Sequence, residues 1–297
     1  MKWHEVKEQA AGEKRLLLLW YIYKFFGKNI VKFIVLFVTF FALLGAKKIK
    51  ESSKKYLKII GQKDSFYNIF RHCLSYSYAL IDRMEIFSDN FSPDKIEFAD
   101  EESRIQLFED LAKEKGMFVL CNHVGNIDVM RALMISNVRN TCQGVCVFLA
   151  KEQCKIFNSF IGKITTEQPI ILYPVEDIDI NTSIEIKEKL DNNFVVFMAG
   201  DRTSKNSINF ETDFLNQKVD FPLGTFKFAQ MMEVPTYFIS AIKEKNDKYK
   251  LYVKKFYPDE KKKETLEKMK KEFVFFTENM ARIAPFQFFH FYDMFKN

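Results

Sequence analysis

The sequence predicts an α/β fold, with a mixed central sheet flanked by helices and an N-terminal helical membrane-associated segment. Three observations carry this. From about Phe98 onward, short apolar runs of strand length alternate with helical stretches, the rhythm of parallel or mixed sheets. Roughly the first ninety residues follow a 3.6-residue period instead. Within them, residues 16–45 are mostly apolar and bordered by basic residues. No internal repeat and no Gly/Ser- or Pro-rich linker interrupts the chain. The division is therefore into residues 1–60, the membrane-associated segment, and residues 61–297, one α/β domain. Hydrophobic residues at 47% supply a packed core and exclude a disordered chain.

In the N-terminal segment, Glu5, Glu8 and Glu13 precede the apolar run and no clean small-residue cleavage site follows it, which argues against a secretory signal. The uninterrupted stretch from Phe33 to Ala46 reaches roughly 21 Å as helix, short of the roughly 30 Å hydrocarbon core of a bilayer. Lys24, Lys28 and Lys32 are spaced to form one helical stripe, which is expensive to carry through lipid. Lys14 and Arg15 lie before the run, and Lys47, Lys48, Lys50, Lys54 and Lys55 after it. Basic residues on both sides suit a segment that dips in from the cytoplasmic face. The residues expected to meet the membrane are Lys24, Lys28, Lys32, Phe33, Phe37 and Phe40. A tilted spanning helix and a buried core helix are the alternatives.

The next helix is read from Phe66, Ile69, Phe70, Cys73, Leu74, Ser77, Leu80, Ile81, Met84 and Phe87, with Asp64 as its N-cap candidate. A helix over 100–114 precedes the buried-strand run 117–121, and another helix starts near Asn126. Further strands are expected at 144–149, 169–173, 194–198 and 235–241. Pro222 suits the first position of a helix reaching 231. Tyr249, Leu251 and Val253 alternate with Lys250, Tyr252 and Lys254, which predicts an edge strand wet on one side. A charged helix over 259–283 then runs into the aromatic tail PFQFFHFYDMF.

The five cysteines include no CxxC pair. They read as free thiols in a reducing compartment rather than as a zinc site. No metal ligand set is expected. The net charge of +6 is thinly spread and the Phe-rich stretches lack interleaved Arg, which excludes a nucleic-acid surface. Phosphate-loop, dinucleotide and Ser-elbow signatures are absent.

His123, in CNHVGNIDVMRA, follows a buried run and precedes a helical pattern. Asp128 comes five residues later, and five residues on one helix turn roughly 140°. The two side chains meet only if His123 sits in the strand-to-helix loop and Asp128 points back from the first turn. Gly125 permits a tight loop and Asn126 is a candidate N-cap. A carboxylate on one imidazole nitrogen fixes the tautomer and leaves the other nitrogen as a base. The competing reading is a His that caps the following helix. A second feature is FMAGDRTSKN, where a strand runs out into Gly200, Asp201 and Arg202. Glycine allows close backbone approach, and Arg202 offers a two-pronged donor for phosphate or carboxylate. Pairing of Arg202 with Asp201 is the structural alternative.

Together these segments resemble the lysophospholipid acyltransferase superfamily, within it the branch of the bacterial lipid A late acyltransferases. HVGNID resembles the family's His-x4-Asp/Glu motif. The resemblance implies His123 as general base and Asp128 as its orienting partner. Met198 to Ser204 resembles the block that elsewhere reads Pro-Glu-Gly-Thr-Arg-Ser, and its Gly-Asp-Arg form is similar to the lipid A branch. In glycerolipid members that arginine helps hold the acceptor phosphate. Gly125, Asn126, Arg131, Gly200, Asp201 and Arg202 are thus the expected substrate-binding set. Phe221-Pro222-Leu223-Gly224 and Val234-Pro235 also fall in family order, and Pro285–Phe291 resembles the branch's Pro-x-Gln-aromatic ending. Lipid A enzymes follow their late His with basic residues, whereas His290 precedes Phe291, Tyr292 and Asp293. That departure favours an acceptor other than lipid A.

The resemblance implies an acyltransferase fold at the cytoplasmic face of a bacterial inner membrane. It implies transfer from an acyl carrier protein or CoA thioester to a hydroxyl or amine of a lipid or lipid-like acceptor, with no cofactor. Loop amides near Gly125 are candidates to stabilise the tetrahedral intermediate. A thioesterase using water, and a non-catalytic membrane-binding protein that keeps the fold, are the alternatives.

Overall fold

The computed structural model describes residues 13–88, 90–130, 133, 142–164, 170–203 and 207–296. Their helices are α1 (Glu13–Gly45), α2 (Lys47–Ile59), α3 (Phe66–Phe87), α4 (Glu101–Leu111), α5 (Lys151–Ile164), α6 (Ile180–Asp191), α7 (Leu223–Met232) and α8 (Lys262–Ile283). The strands are β1 (Ile96–Phe98), β2 (Met117–Gly125), β3 (Gly144–Leu149), β4 (Ile170–Pro174), β5 (Phe194–Ala199), β6 (Asn209–Phe214), β7 (Gln217–Pro222), β8 (Thr236–Lys243) and β9 (Tyr249–Phe256). The main sheet has seven strands in the order β1-β9-β8-β2-β5-β3-β4. All neighbours are parallel except β8 and β9, so the α/β fold has the expected mixed sheet.

β2 occupies the middle of the sheet and is buried on both faces. Phe118 and Leu120 enter one core with Val196, Met198 and Phe238. Met117 and Val119 enter the other with Val195, Phe197, Tyr237 and Ile239. Such two-faced burial is why these strands read as continuous apolar runs rather than as alternating ones. The first core also takes in Tyr56 and Leu57 of α2, Phe226 of α7, Phe273 of α8 and Phe288 of the tail.

The structure revises four local expectations. β2 continues to Gly125, so His123 lies on the strand end and not in a loop. Ser65 caps α3 by accepting from the Asn68 amide, because Asp64 instead faces Lys54 at 3.6 Å. β9 is not an outer strand over its first residues, since β1 pairs in parallel with Tyr249–Leu251. The hairpin β6–β7 was not expected. Its turn places Leu215 and Asn216 at positive φ, 53° and 59°, the backbone of a two-residue hairpin loop.

α1 is broken at Gly27, where φ is 75° and ψ 171°. Beyond the break, Val31, Val35, Thr39 and Leu43 form a buried seam at four-residue spacing. Val31 and Val35 pack on Ile81 of α3, and Thr39 Oγ1 meets Ser77 Oγ at 2.9 Å. Lys28 Nζ contacts Asp82 at 2.9 Å and also pairs with Glu85; Lys32 Nζ meets Asp247 at 2.7 Å. Two of the three lysines expected to meet the membrane do not face outward. Lys28 and Lys32 face the protein, drawn inward by the buried acids of α3 and by half-buried Asp247 on the β8–β9 turn, while Lys24 is exposed. The outward face carries Phe25, Phe26, Phe33, Phe37, Phe40 and Phe41, all exposed.

Gly125 is the tightest backbone contact next to the site. It has φ 76°, and a β-carbon there would stand 1.9 Å from the Ala241 carbonyl oxygen. Both a left-handed φ and a steric collision then oppose any side chain. Gly125→Ala is expected to lower unfolding stability by about 2–4 kcal/mol. Urea midpoints check this; an unchanged midpoint would refute the close approach.

Candidate active site

The site forms at the carboxyl ends of the two central parallel strands, where open α/β sheets place their ligands. β8 follows β2 only to Cys121 before the register shifts, and Gly125 then faces Ala241. The C-terminal tail fills the opening. Phe289 N–H donates to the His123 carbonyl at 2.9 Å, Gly125 N–H donates to the Gln287 carbonyl at 2.8 Å, and Val124 bridges Phe288. The Gln287 amide closes on both backbone groups of Lys243, each at 2.8 Å. His72, buried in α3, fixes the tail from behind: its Nε2 lies 2.8 Å from the Phe288 carbonyl, and its Nδ1 2.9 Å from Ser53 Oγ of α2.

Asp201 follows directly on β5, next to β2, and is fully buried. One carboxylate oxygen accepts from His123 Nδ1 at 2.7 Å. The other accepts from the His123 backbone N–H at 2.7 Å and from His290 Nε2 at 3.0 Å. Burial opposes the charge on Asp201, but the facing imidazoles His123 and His290 outweigh it and hold the carboxyl well below the usual carboxylate range. An ionised carboxylate accepts only, so Nδ1 of His123 and Nε2 of His290 carry the protons. Nε2 of His123 is then the basic nitrogen, on a side chain still 30% exposed.

The expected partner Asp128 is elsewhere. Its carboxylate pairs with Arg83 of α3, whose guanidinium also lies 5.1 Å over the Phe157 ring. With His123 on the strand, the carboxylate that reaches its Nδ1 comes from the adjacent strand end and not from the following helix. Asn126 does act at the helix start, its Oδ1 accepting from the Asp128 N–H at 3.3 Å. Its own N–H goes to the Ala241 carbonyl at 2.7 Å. Since the Gly125 amide is also committed, these two amides are not oxyanion donors. Arg202 spends one guanidinium nitrogen on the Phe289 carbonyl at 2.6 Å, holding the tail. Gly200 gives its N–H to the Cys121 carbonyl, and a β-carbon there would press on the Phe273 ring at 2.9 Å. Arg131 lies outside the described residues.

Cys121, two positions before His123 on β2, is buried, and burial with the nearby Asp201 and Asp128 pushes its thiol pKa up. It is therefore no nucleophile at neutral pH. The five cysteines are free thiols. His123, Asp201 and His290 also offer ligand atoms within 4.8 Å of one another. Their contacts have hydrogen-bond lengths, whereas ligand atoms on a tetrahedral zinc stand about 3.4 Å apart. The three form a proton-linked set.

Sequence reasoning named Asp201 and His290 but not their meeting with His123. Asp201 lies 78 residues after His123 and 89 before His290, so spacing carries no signal. Comparison with protein-family models and with curated proteins finds no match.

The buried histidines set a pH dependence. Burial pushes His72 down to about 4, and pushes His290 to about 4 despite Asp201. Unfolding frees both to bind protons at the ordinary value of 6.5, so the unfolded chain holds about two more protons between these limits. Stability is full above 6.5 and falls as pH drops toward 4, by up to about 1.4 kcal/mol per pH unit for each ring. Asp201, with its depressed folded value, adds a further loss below about pH 4. Urea midpoints between pH 8 and 4.5 check this, with His72→Gln expected to halve the slope. A midpoint flat across pH 5–6 would refute it.

Proposed function

We propose that this chain is a membrane-associated acyltransferase of the kind its motifs resemble. It moves a fatty acyl group from an acyl carrier protein or CoA thioester to a hydroxyl or amine of a lipid or lipid-like acceptor. One observation carries the reading: a partly exposed imidazole has Nδ1 held by a buried, ionised carboxylate, leaving Nε2 as a base. Among the described residues that thiol nearest in sequence, Cys121, is buried and protonated, so the proton this base removes belongs to an incoming substrate.

In the reaction, Nε2 of His123 takes the proton of the acceptor hydroxyl as its oxygen attacks the thioester carbonyl. Asp201 stabilises the imidazolium that forms. The tetrahedral intermediate collapses, the carbon–sulfur bond breaks, and the imidazolium returns its proton to the departing thiolate. The products are an ester and a free thiol, and no cofactor takes part. In the family Asp128 would orient the imidazole; here Asp201 does so, and Asp128 pairs with Arg83 of α3.

We place the enzyme on the cytoplasmic face of a bacterial inner membrane. α1 is long and apolar enough to cross a bilayer, with 22% of its most apolar window buried. Its inward lysines are tied to Asp82, Glu85 and Asp247, and spanning would pull them off these acids. Lying in the interface instead keeps the ion pairs and sinks the outer Phe face among acyl chains. Exposed Lys24, Lys47 and Lys48 add attraction to anionic headgroups.

Two measurements test this. His123→Gln is expected to cut acyl transfer from acyl carrier protein or CoA by about 10²–10⁴-fold, read by mass spectrometry of the acceptor lipid. Asp201→Asn should fall comparably and Asp128→Asn less. A wild-type rate in His123→Gln would sink the assignment, and thiol release without any acceptor would favour a thioesterase. Separately, the chain should co-sediment with phosphatidylglycerol vesicles more than with phosphatidylcholine ones, and Phe33→Ser with Phe37→Ser should weaken both. Equal recovery of the double variant would remove α1 from the lipid surface.

A further inference from the structure

We propose that His290 is a positioning residue for the His123 base: it clamps one oxygen of Asp201 so that the other stays on His123 Nδ1. This rests on the reading of His123 as the base. Asp201 receives three donors, and they divide its oxygens. The His123 backbone N–H and His290 Nε2 occupy one oxygen, and Nδ1 has the other. The backbone donor alone would leave the carboxylate able to turn about its terminal torsion, which is broad for Asp. The second donor on the same oxygen fixes its plane.

The tail itself argues that His290 is not there for packing. Its ring is stacked between Phe288, at 4.2 Å between centroids, and Tyr292, at 5.1 Å. It is 2% exposed, and its Nδ1 is buried with no hydrogen-bond partner. A phenylalanine would fill the same stack without leaving a polar atom unsatisfied, which costs about 1–3 kcal/mol. Phe286, Phe288, Phe289, Phe291, Tyr292 and Phe295 around it use phenyl or phenol rings freely. What the imidazole adds is one N–H aimed at Asp201.

The position of that N–H is set by contacts outside the site. His72 holds the Phe288 carbonyl, Arg202 the Phe289 carbonyl, and Gln287 the backbone of Lys243. The charged and titratable groups around the pair are Asp201 and Arg202 after β5, Tyr292 on the tail, and Cys121 and Asp128 along β2 and beyond it. A neutral His290 donates its dipole without adding a cation opposite the imidazolium that forms on His123. By drawing on Asp201 it also keeps the shared proton on the imidazole.

The test is a ring-nitrogen NMR titration of the full chain in detergent micelles, in which the histidines His4, His72, His123 and His290 are assigned by substitution. In the wild type, His123 should be the Nδ1–H tautomer and His290 the Nε2–H tautomer; the opposite tautomer in either ring overturns the proposal. In His290→Phe, Asp201 loses its clamp and turns away from Nδ1–H, so the imidazolium loses part of its counter-charge. The His123 midpoint should fall by about half a pH unit or more, and the acid limb of acyl transfer should move with it. His290→Gln, which keeps a donor, should leave the midpoint near that of the wild type. An unmoved midpoint in folded His290→Phe overturns the proposal. If His290→Phe does not fold, the wild-type tautomers and His290→Gln still decide. The midpoints do not depend on turnover, so a failure of the acyltransfer reading in His123→Gln is distinct from a failure here.

Discussion

A single buried carboxylate gathers the site. Asp201 is fully enclosed, and its charge is tolerable only because three N–H groups converge on it. Those groups come from the end of β2 and from the C-terminal tail, while Asp201 itself lies two residues beyond the end of β5. Parallel pairing of β2 with β5 brings the first contact about, since Gly200 N–H still reaches the Cys121 carbonyl as the strands finish. Gly125 permits the second, because only a glycine lets β2 turn against Ala241 while its N–H takes up the tail. The site is therefore a property of the closed fold. Removing the charge without its donors, or the donors without the charge, leaves buried polar groups unmatched.

The same accounting links the site to the N-terminal helix. Asp82 of α3 is fully buried and meets Lys28 of α1, Lys243 at the end of β8 and the Tyr249 hydroxyl of β9. Lys243 in turn offers its backbone to Gln287, three residues before His290. Polar contacts thus run unbroken from α1 to the tail. Buried ion pairs of this kind add little net stability against an apolar replacement, because desolvation consumes most of the attraction. What they do enforce is register: breaking one partner strands a buried charge, so α1 has one low-energy seat on α3.

Most of the architecture was legible in the sequence, for a physical reason. Strands buried on both faces must be apolar at nearly every position, so β2, β3, β5 and β8 announce themselves, and the half-buried edge strand β4 shows as a short apolar run. β1 is too short to carry a pattern. β6–β7 does alternate, with Phe210, Phe214, Val219 and Phe221 inward and Glu211, Asp213 and Lys218 outward, but its turn, Leu215-Asn216, lacks the glycine that marks a two-residue hairpin loop. Site chemistry was legible as residues but not as pairs. His123 and Asp201 were each visible, as a His after a buried run and an Asp in a Gly-Asp-Arg turn. Their contact is not, because it depends on which strands are neighbours. The local rule that joined His123 to Asp128 assumed a loop, and the strand's continuation through Gly125 removed the premise.

The lysine stripe of α1 was misjudged by a related assumption, that charge on this helix points to water or headgroups. Two of its three lysines turn inward, while the phenylalanines face out as expected. Its valine and lysine seam faces the protein, and its phenylalanines face out. In water that arrangement leaves a broad apolar surface uncovered, larger than scattered exposed side chains account for. α1 also packs through Leu17, Leu19, Trp20, Ile22 and Tyr23, yet these contacts leave Phe25, Phe26, Phe33, Phe37 and Phe41 exposed. The inverted helix makes energetic sense only if its outer face is removed from water by something apolar, while the buried acids keep its inner face from following. Exposed Lys24, Lys47 and Lys48 would then meet an anionic headgroup layer. Helix and site are joined: the tail that carries His290 is tied through Lys243 and Asp82 to the helix that carries this exposed apolar face.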